Sequence, residues 1–444
     1  MVNISNTTFQ EQKFLVLPLL WEEGLKSVNS GQSTIKYIYY EVKIDKFTQG
    51  KQHHPKFWLI FASVAGFLGL VTATWFLVST YKVWNTGRFD DFYGEGVRQY
   101  QAGNYQAAIE HFTQAIAQNN QNYQVFNQRS SAFYQLGEYE QAKTDASTAI
   151  ELNPQNEIAY YNRGFSLYEL GKYEEAIADY TKAIELNSRN AFAFYGRGLA
   201  LMQMRKNKEA NEDFSTAIRL RPNYAEAYLQ RGILRRRLRI FHTARQDFEQ
   251  MIEINPHDAR PFYQKGLIYM NNNQKYRAIR AFSEAINLNP GYALAYLHRG
   301  DLHSELGYRL EATADYNKAL EINPQWGAAY NHRGIHRFSF GDYQGAIADH
   351  TQAIAINSQD AAAFNNRGNA HLQLGNYADA EKDYSQAIAI NKQYALAYYN
   401  RGLSRSKQGN KQGARADLEA AIKFFREAGQ RNSMRDAQRE LNML

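Results

Sequence analysis

From residue 89 onward, small and aromatic residues return along the chain with a period of 34. Taking Phe89 as position 1 gives ten repeats that run to about Ala428, with alanine at position 20 in every one, from Ala108 to Ala414. Position 27 is alanine in nine repeats, Met251 being the exception, and position 8 is glycine in nine, Ser130 being the exception. Position 4 is always aromatic, and position 24 is mostly so, as in Phe112, Tyr180, Phe214, Phe248, Phe282, Tyr316 and Tyr384. Small residues at 8, 20 and 27 let two antiparallel helices approach closely, and the rings at 4 and 24 fill the space beside them. Each repeat is therefore predicted to be a helical hairpin.

The turn residues agree. Glycine at position 15 (Gly103, Gly137, Gly171, Gly307, Gly341, Gly375, Gly409) is expected to end the first helix, because glycine adopts the left-handed conformation without steric cost. Asn-Pro pairs at positions 31 and 32 (Asn153-Pro154, Asn255-Pro256, Asn289-Pro290, Asn323-Pro324) are expected to stop the second. Repeats four to six carry Arg205, Arg239 and Asn273 at position 15 instead, which leaves their turns open. Two further columns vary together. Arginine holds position 7 in eight repeats, from Arg129 to Arg401, and aspartate holds position 23 in the same eight, from Asp145 to Asp417. Repeat one has Glu95 with His111, and repeat six has Lys265 with Ala281. A partly buried Arg–Asp pair inside each hairpin is expected, bidentate where geometry allows.

This pattern resembles the tetratricopeptide repeat (TPR), whose signature has Gly/Ala at 8, aromatics near 11 and 24, Ala at 20 and 27, and Pro at 32. It extends over about 340 of the 444 residues, and YYNRGFSLYELGKYEEAIADYTKAIELN (160–187) is similar to multi-repeat bacterial, especially cyanobacterial, TPR proteins. The resemblance implies an all-α fold, a right-handed superhelical solenoid of about ten hairpins (89–428) whose concave face is lined mainly by first helices. Residues 429–444 would then form a capping helix, with Met434, Ala437, Leu441 and Leu444 at helical spacing.

The segment before the repeats reads differently. Phe57 to Tyr81 contains 25 residues without a charge, and about 20 helical residues cross a hydrocarbon layer of roughly 30 Å. One transmembrane helix is predicted over 57–81, with Phe57, Trp58, Trp75 and Tyr81 near its ends and a linker at 82–88. Lys36, Lys43, Lys46, Lys51 and Lys56 precede it, whereas Lys82, Arg88 and Arg98 follow among Asp90, Asp91 and Glu95. That bias places the N-terminus in the cytoplasm and the repeats across the membrane. Residues 1–56 hold a short apolar stretch broken by Pro18 and a strand-like IKYIYYEVKIDKF, with no assignable role.

Composition narrows the chemistry. With no cysteine, disulfides, thiolate nucleophiles and Cys-ligated metals are excluded, and a net charge of +7 over this length does not make nucleic acid the default partner. No phosphate-binding GxxxxGK[ST], dinucleotide GxGxxG, GxSxG elbow or HExxH occurs, so no enzyme and no cofactor are expected. His332 and His336 share a helix face, and His298 and His303 lie one repeat earlier. Without a nearby acidic or thiolate ligand in the pattern they read as packed histidines rather than a metal site.

What remains is a binding surface. The resemblance places positions 2, 5, 9, 12 and 13 on the groove, where repeats three and four present Tyr161, Phe165, Tyr168, Phe192, Tyr195, Leu199 and Met202. Repeat five adds Arg236 and Arg237 within the run Arg235 to Arg239, and later repeats become polar through Asp301, Glu305, Asn331, Asn365 and Asn369. The carboxylate clamp of TPR domains that grip chaperone tails is incomplete, since Gln430 and Met434 stand where its basic pair would follow Asn400. The expectation is a membrane-anchored scaffold that holds an extended or helical segment of a protein partner. Two alternatives are an electrostatic tether for anionic lipid or nucleic acid through Arg235 to Arg239, and a regulatory subunit of a separately encoded enzyme.

Overall fold

The structure is a computed structural model and describes residues 89–444. The segment 1–56, the span 57–81 and the linker 82–88 lie outside the described residues. Among those that are described, all regular structure is helical and no helix is long and apolar enough to cross a membrane. They form two compact bodies, one ending at Ala210 and the other beginning at Asn211. The first holds repeats one to three with the opening helix of repeat four, and the second holds most of the second helix of repeat four with repeats five to ten.

Each repeat is a pair of helices over positions 1–13 and 17–30, such as Glu157–Glu169 with Tyr173–Leu186 and Ala361–Gln373 with Tyr377–Ile390. Asn156, Asn190, Asp258 and Asp360 cap first helices by accepting hydrogen bonds from backbone N–H groups of the opening turn. At the other end of the repeat, Asn153, Asn255, Asn289 and Asn391 terminate the second helix, and each side chain accepts from the N–H two residues on. The asparagine thus turns the chain, and after Asn153, Asn255 and Asn289 a proline also prevents the helix from continuing. After repeat ten, helix Arg431–Met443 packs Met434, Ala437, Leu441 and Leu444 onto the core formed by Leu418, Ile422 and Phe425.

The turn at position 15 is the same in every described case. In repeat nine Gly375 has φ +78°, and the N–H of Asn376 reaches back to the carbonyl of His371 at 2.9 Å. Arg239 adopts φ +62° and Ile240 bonds Arg235 at 2.8 Å in the same arrangement, as do Arg205 (φ +59°) and Asn273 (φ +56°) in theirs. The turns left open by the sequence are therefore made, with arginine held in a conformation that costs an L-residue about 1–2 kcal/mol.

Why position 8 must be small is visible in its neighbour. A Cβ added to Gly266 would lie 2.4 Å from the ring of Phe282, the position-24 residue of the same hairpin. Repeat two shows the complement: Ser130 is tolerated because position 24 there is Ala146, and the Ser130 hydroxyl donates to the Ala142 carbonyl at 2.7 Å. The two columns compensate for each other in volume.

The arginine column does more than pair within its hairpin. Arg367 Nε and Nη2 donate to both oxygens of Asp383 at 2.9 and 2.7 Å. Arg129–Asp145, Arg163–Asp179, Arg231–Asp247, Arg299–Asp315, Arg333–Asp349 and Arg401–Asp417 repeat the fork. The free Nη1 then crosses to position 25 of the preceding repeat: Arg231 to Ser215 at 2.9 Å, Arg299 to Ser283 at 2.8 Å, Arg333 to Asn317 at 2.7 Å and Arg367 to Thr351 at 3.1 Å. The guanidinium also lies over the position-4 ring, as Arg333 over Tyr330 at 5.5 Å. One side chain therefore joins both helices of its own repeat to the repeat before it. In repeat six, where Asp is replaced by Ala281, Lys265 turns to Glu249 at position 25 of repeat five, 3.5 Å away, so the pairing moves across the repeat boundary.

Asp383 is 4% exposed, so Asp383→Ala leaves the Arg367 guanidinium half-buried without its counter-charge. Because Arg367 retains some access to water, the expected loss is about 2–4 kcal/mol, below the full penalty for a buried orphan charge. Native-state hydrogen exchange on Ala361–Gln373 and Tyr377–Ile390 should report it as a local fall in protection. A change of less than about 0.5 kcal/mol, the level of an exposed ion pair, would show the pair to be ornamental.

Candidate partner-binding surface

In the first body, the aromatic groove residues divide into floor and wall. Tyr161 is 5% exposed and Tyr195 is 6% exposed, and Tyr161 lies 6.0 Å from the fully buried Tyr180 ring. Burial drives its phenol pKa upward. Position 5 faces the position-24 ring of its own hairpin, which makes these two tyrosines core rather than open contact surface; the sequence pattern had placed them on the wall. Phe165, Tyr168 and Phe192 pack partly buried against the same cluster, and Leu199 and Met202 are also half-buried. These five keep faces toward solvent.

The wall reaches further toward the N-terminus than the sequence suggested. Tyr134 lies 4.8 Å from Phe165 across the junction of repeats two and three, and its hydroxyl donates to Glu169 at 3.0 Å. Tyr168 meets Tyr173 at 5.5 Å and accepts from Gln203 Nε2 at 3.2 Å. Tyr100, Tyr134 and Tyr168 occupy position 12 in three successive repeats, a column that would have revealed the ladder. Burial raises the Tyr100 phenol pKa to about 12, so this ring stays neutral at any ordinary pH.

In the second body, the arginine run divides too. Arg235 donates to Asp247 at 2.9 Å and to Asn211 at 3.0 Å, and Arg236 Nε donates to Gln264 at 2.9 Å. Arg237 and Arg239 are exposed. Burial lowers the Arg236 pKa, though a guanidinium stays protonated in a protein. Arg236 is a desolvated cation at the margin of the surface, and Arg237 a solvated one.

The polar groove of the later repeats is mostly consumed in joining repeats. Asn366 Nδ2 donates to Asn331 at 3.1 Å, and Asn400 Nδ2 donates to Asn365 and Asn369 at 3.2 and 2.9 Å. Asp301 accepts from the Tyr316 hydroxyl at 2.8 Å, lies 2.8 Å from His332 Nδ1, and has His298 3.6 Å away. Burial alone would raise the Asp301 pKa, but the hydrogen bonds from His298 and His332 outweigh it and hold the carboxyl well below its ordinary range. For His332 burial opposes the charge, and the Asp301 hydrogen bond and field still raise its pKa. His336 turns away to Ser304 and Thr313 at 2.8 and 3.1 Å, so the two histidines of one face do not converge. Among the described residues, no group of three or more His, Asp or Glu is arranged to hold a metal.

With this geometry in view, comparison with known proteins is direct. TPR repeat and tetratricopeptide repeat family models match residues 93–142, 131–171, 166–205, 195–259, 259–292, 293–325, 337–375, 361–394 and 396–428. The chain belongs to the tetratricopeptide repeat family. Comparison with curated proteins finds no match. Among solved structures it is similar to a tetratricopeptide repeat protein from Parabacteroides merdae, at 22% identity and TM-score 0.45 over 55% of this chain and 97% of that one. It is also similar to YrrB, described as a TPR protein with an unusual peptide-binding site (27% identity, TM-score 0.36, 41% of this chain, 95% of that one). Yeast Tom70 matches at 12% identity and TM-score 0.42, over 79% of this chain and 95% of that one.

One buried group departs from the repeat's chemistry. At position 24 of repeat eight, where seven other hairpins place Phe or Tyr, His350 is wholly buried against Gly334 and neither ring nitrogen has a hydrogen-bond partner. Burial, helped by the Arg367 charge, pushes its pKa from 6.5 down to about 4. Between those values the unfolded chain binds the proton and the folded chain does not, so stability is intact above pH 6.5 and falls as pH drops toward 4. Repeat eight should lose about 2 kcal/mol at pH 5 relative to pH 7.5, read from exchange of Tyr343–Ile356 amides after correction for intrinsic rates. His350→Phe should remove that dependence, and equal pH sensitivity in both forms would assign it elsewhere.

Proposed function

We propose that this chain is a membrane-anchored TPR scaffold without catalysis of its own, whose repeats hold a segment of a protein partner and assist the assembly or organisation of a membrane complex. The observation that carries the proposal is the strip formed by Tyr134, Phe165, Tyr168 and Phe192. These rings are packed on one side and open on the other, a combination the hairpins do not need, since repeats nine and ten do without aromatics at positions 9 and 12. Rigid, half-desolvated aromatics are where binding energy concentrates. Arg236 and Arg237 supply the second, basic contact on the other body.

The proposed partner would be identified by detergent extraction of the tagged full chain, affinity capture and mass spectrometry, and its affinity then titrated. Phe165→Ala or Tyr168→Ala should each weaken binding by roughly 1–2 kcal/mol, about 5- to 30-fold, with helix content unchanged. Paired Arg236→Glu and Arg237→Glu should also weaken it. Tyr161→Ala and Tyr195→Ala should instead lower stability, as core truncations do. Unaltered affinity in correctly folded Phe165→Ala and Tyr168→Ala proteins would remove the aromatic strip as the contact.

The anchoring part of the proposal rests on the uncharged run Phe57 to Tyr81 and the lysines before it. It places the N-terminus in the cytoplasm and the repeats on the opposite side. A reporter active only outside the cytoplasm should therefore be active when fused after Leu444, and activity only when fused before Val2 would reverse the orientation.

A further inference from the structure

At the tip of each hairpin, positions 16 and 18 flank the start of the second helix. In repeats one to four and eight to ten these positions are polar or charged, from Asn104 and Gln106 to Asn410 and Gln412, with Ala378 the one small exception. Repeats five to seven break that rule together. Ile240 is 50% exposed, Tyr276 67%, Tyr308 42% and Leu310 81%. The fold does not require these residues, because seven other hairpins make the same turn without them. Large apolar side chains left this open on one edge mark a contact surface.

The surrounding charges identify the contact. Arg237, Arg239, Lys275, Arg277 and Arg309 stand along the same tips against only Glu305 and Glu311, and Glu305 is already 3.1 Å from Lys275. A cleft of about 200 Å³ opens between repeats five and six, lined by Phe241, His242, Arg245, Asn272, Gln274 and Arg277. Within it, Arg245 Nε is buried 3.4 Å from the Glu249 carboxylate, an ion pair without hydrogen-bond geometry. Cations interleaved with tyrosine and aliphatic side chains match a bilayer interface, where the rings sit at headgroup depth and the guanidiniums meet anionic phosphates.

We propose that the hairpin tips of repeats five to seven dock on an anionic phospholipid surface, with Ile240, Tyr276, Tyr308 and Leu310 entering the interface and the Arg245–Arg277 cleft receiving a headgroup phosphate. The inference rests on the membrane-anchored reading, which brings a bilayer within reach of the array. It adds a second membrane contact, made by the array itself.

The test uses the full chain, whose lack of cysteine allows single labelling sites without a background. Leu310→Cys, Tyr276→Cys and the control Gln344→Cys, position 18 of repeat eight, each carry a polarity-sensitive fluorophore. The proteins are reconstituted with vesicles of phosphatidylcholine alone or of equal parts phosphatidylcholine and phosphatidylserine, containing shallow spin-labelled lipid. Probes at 276 and 310 should be quenched several-fold more than the probe at 344 in the phosphatidylserine vesicles, and much less in phosphatidylcholine alone. Arg237→Glu with Arg277→Glu should abolish the difference. Protein that floats with vesicles after alkaline carbonate yet shows equal quenching at all three sites overturns the docking edge while leaving the anchor intact. Protein stripped by carbonate that before stripping shows selective quenching at 276 and 310 leaves the edge standing and removes the anchor. Protection of these sites by an added protein, with no lipid quenching, would make the edge a protein interface and overturn the proposal.

Discussion

The guanidinium at position 7 is the point from which the packing of this chain is organised. Its Nε and Nη2 close the hairpin on aspartate 23, its Nη1 reaches position 25 of the preceding repeat, and its flat face covers the ring at position 4. In several repeats a second cation, such as Arg235, Arg337 or Arg405 at position 11, also closes on the same aspartate. A solenoid is held only by contacts between neighbours. A planar, five-donor group that serves both the intra-repeat and the inter-repeat interface makes those contacts interdependent, which a lysine could not do with the same geometry. Repeat six confirms the logic by its exception, since losing the aspartate sends Lys265 to the carboxylate at position 25 of the repeat before.

A volume rule runs beside this charge rule. Glycine 8 and the ring at 24 occupy the same space from opposite helices, so one can grow only where the other shrinks, as Ser130 and Ala146 do. His350 satisfies the volume rule while breaking the chemical one. It is a ring of suitable size whose nitrogens find no partner in the slot, so a well-packed site becomes sensitive to acid. The turn rule at position 15 behaves similarly. The Schellman-type bonds hold Arg205, Arg239 and Asn273 in the left-handed region, because the two helices they join already pack closely at the glycine of position 8.

With hairpin and stack so determined, the positions free to carry function are few, and they differ between the two bodies. Repeats two to four spend theirs on aromatic side chains, whereas repeats eight to ten place asparagines at positions 5, 6 and 9 of the first helix that bond one another. Those asparagines have largely used their donors on the neighbouring repeat, so the open aromatic strip is the better equipped of the two surfaces for a partner. The tips of repeats five to seven are a third allocation, at positions that the helix interface does not touch.

The sequence by itself determined the period, the hairpin, the family and the partnership of columns 7 and 23, because in a repeat array each contact recurs at a fixed offset and a column of residues reports it eight to ten times. Tertiary structure decided what single repeats do with that frame. Tyr161 and Phe165 are one helical turn apart, yet only the first faces the ring at position 24 and becomes core. In the run Arg235 to Arg239, successive residues rotate by about 100° around the helix. Arg235 and Arg236 are thereby turned onto Asp247 and Gln264, while the helix ends at Arg237 and leaves it with Arg239 in solvent. Burial of that kind depends on side chains from another helix and another repeat, and no reading along one strand of sequence contains them.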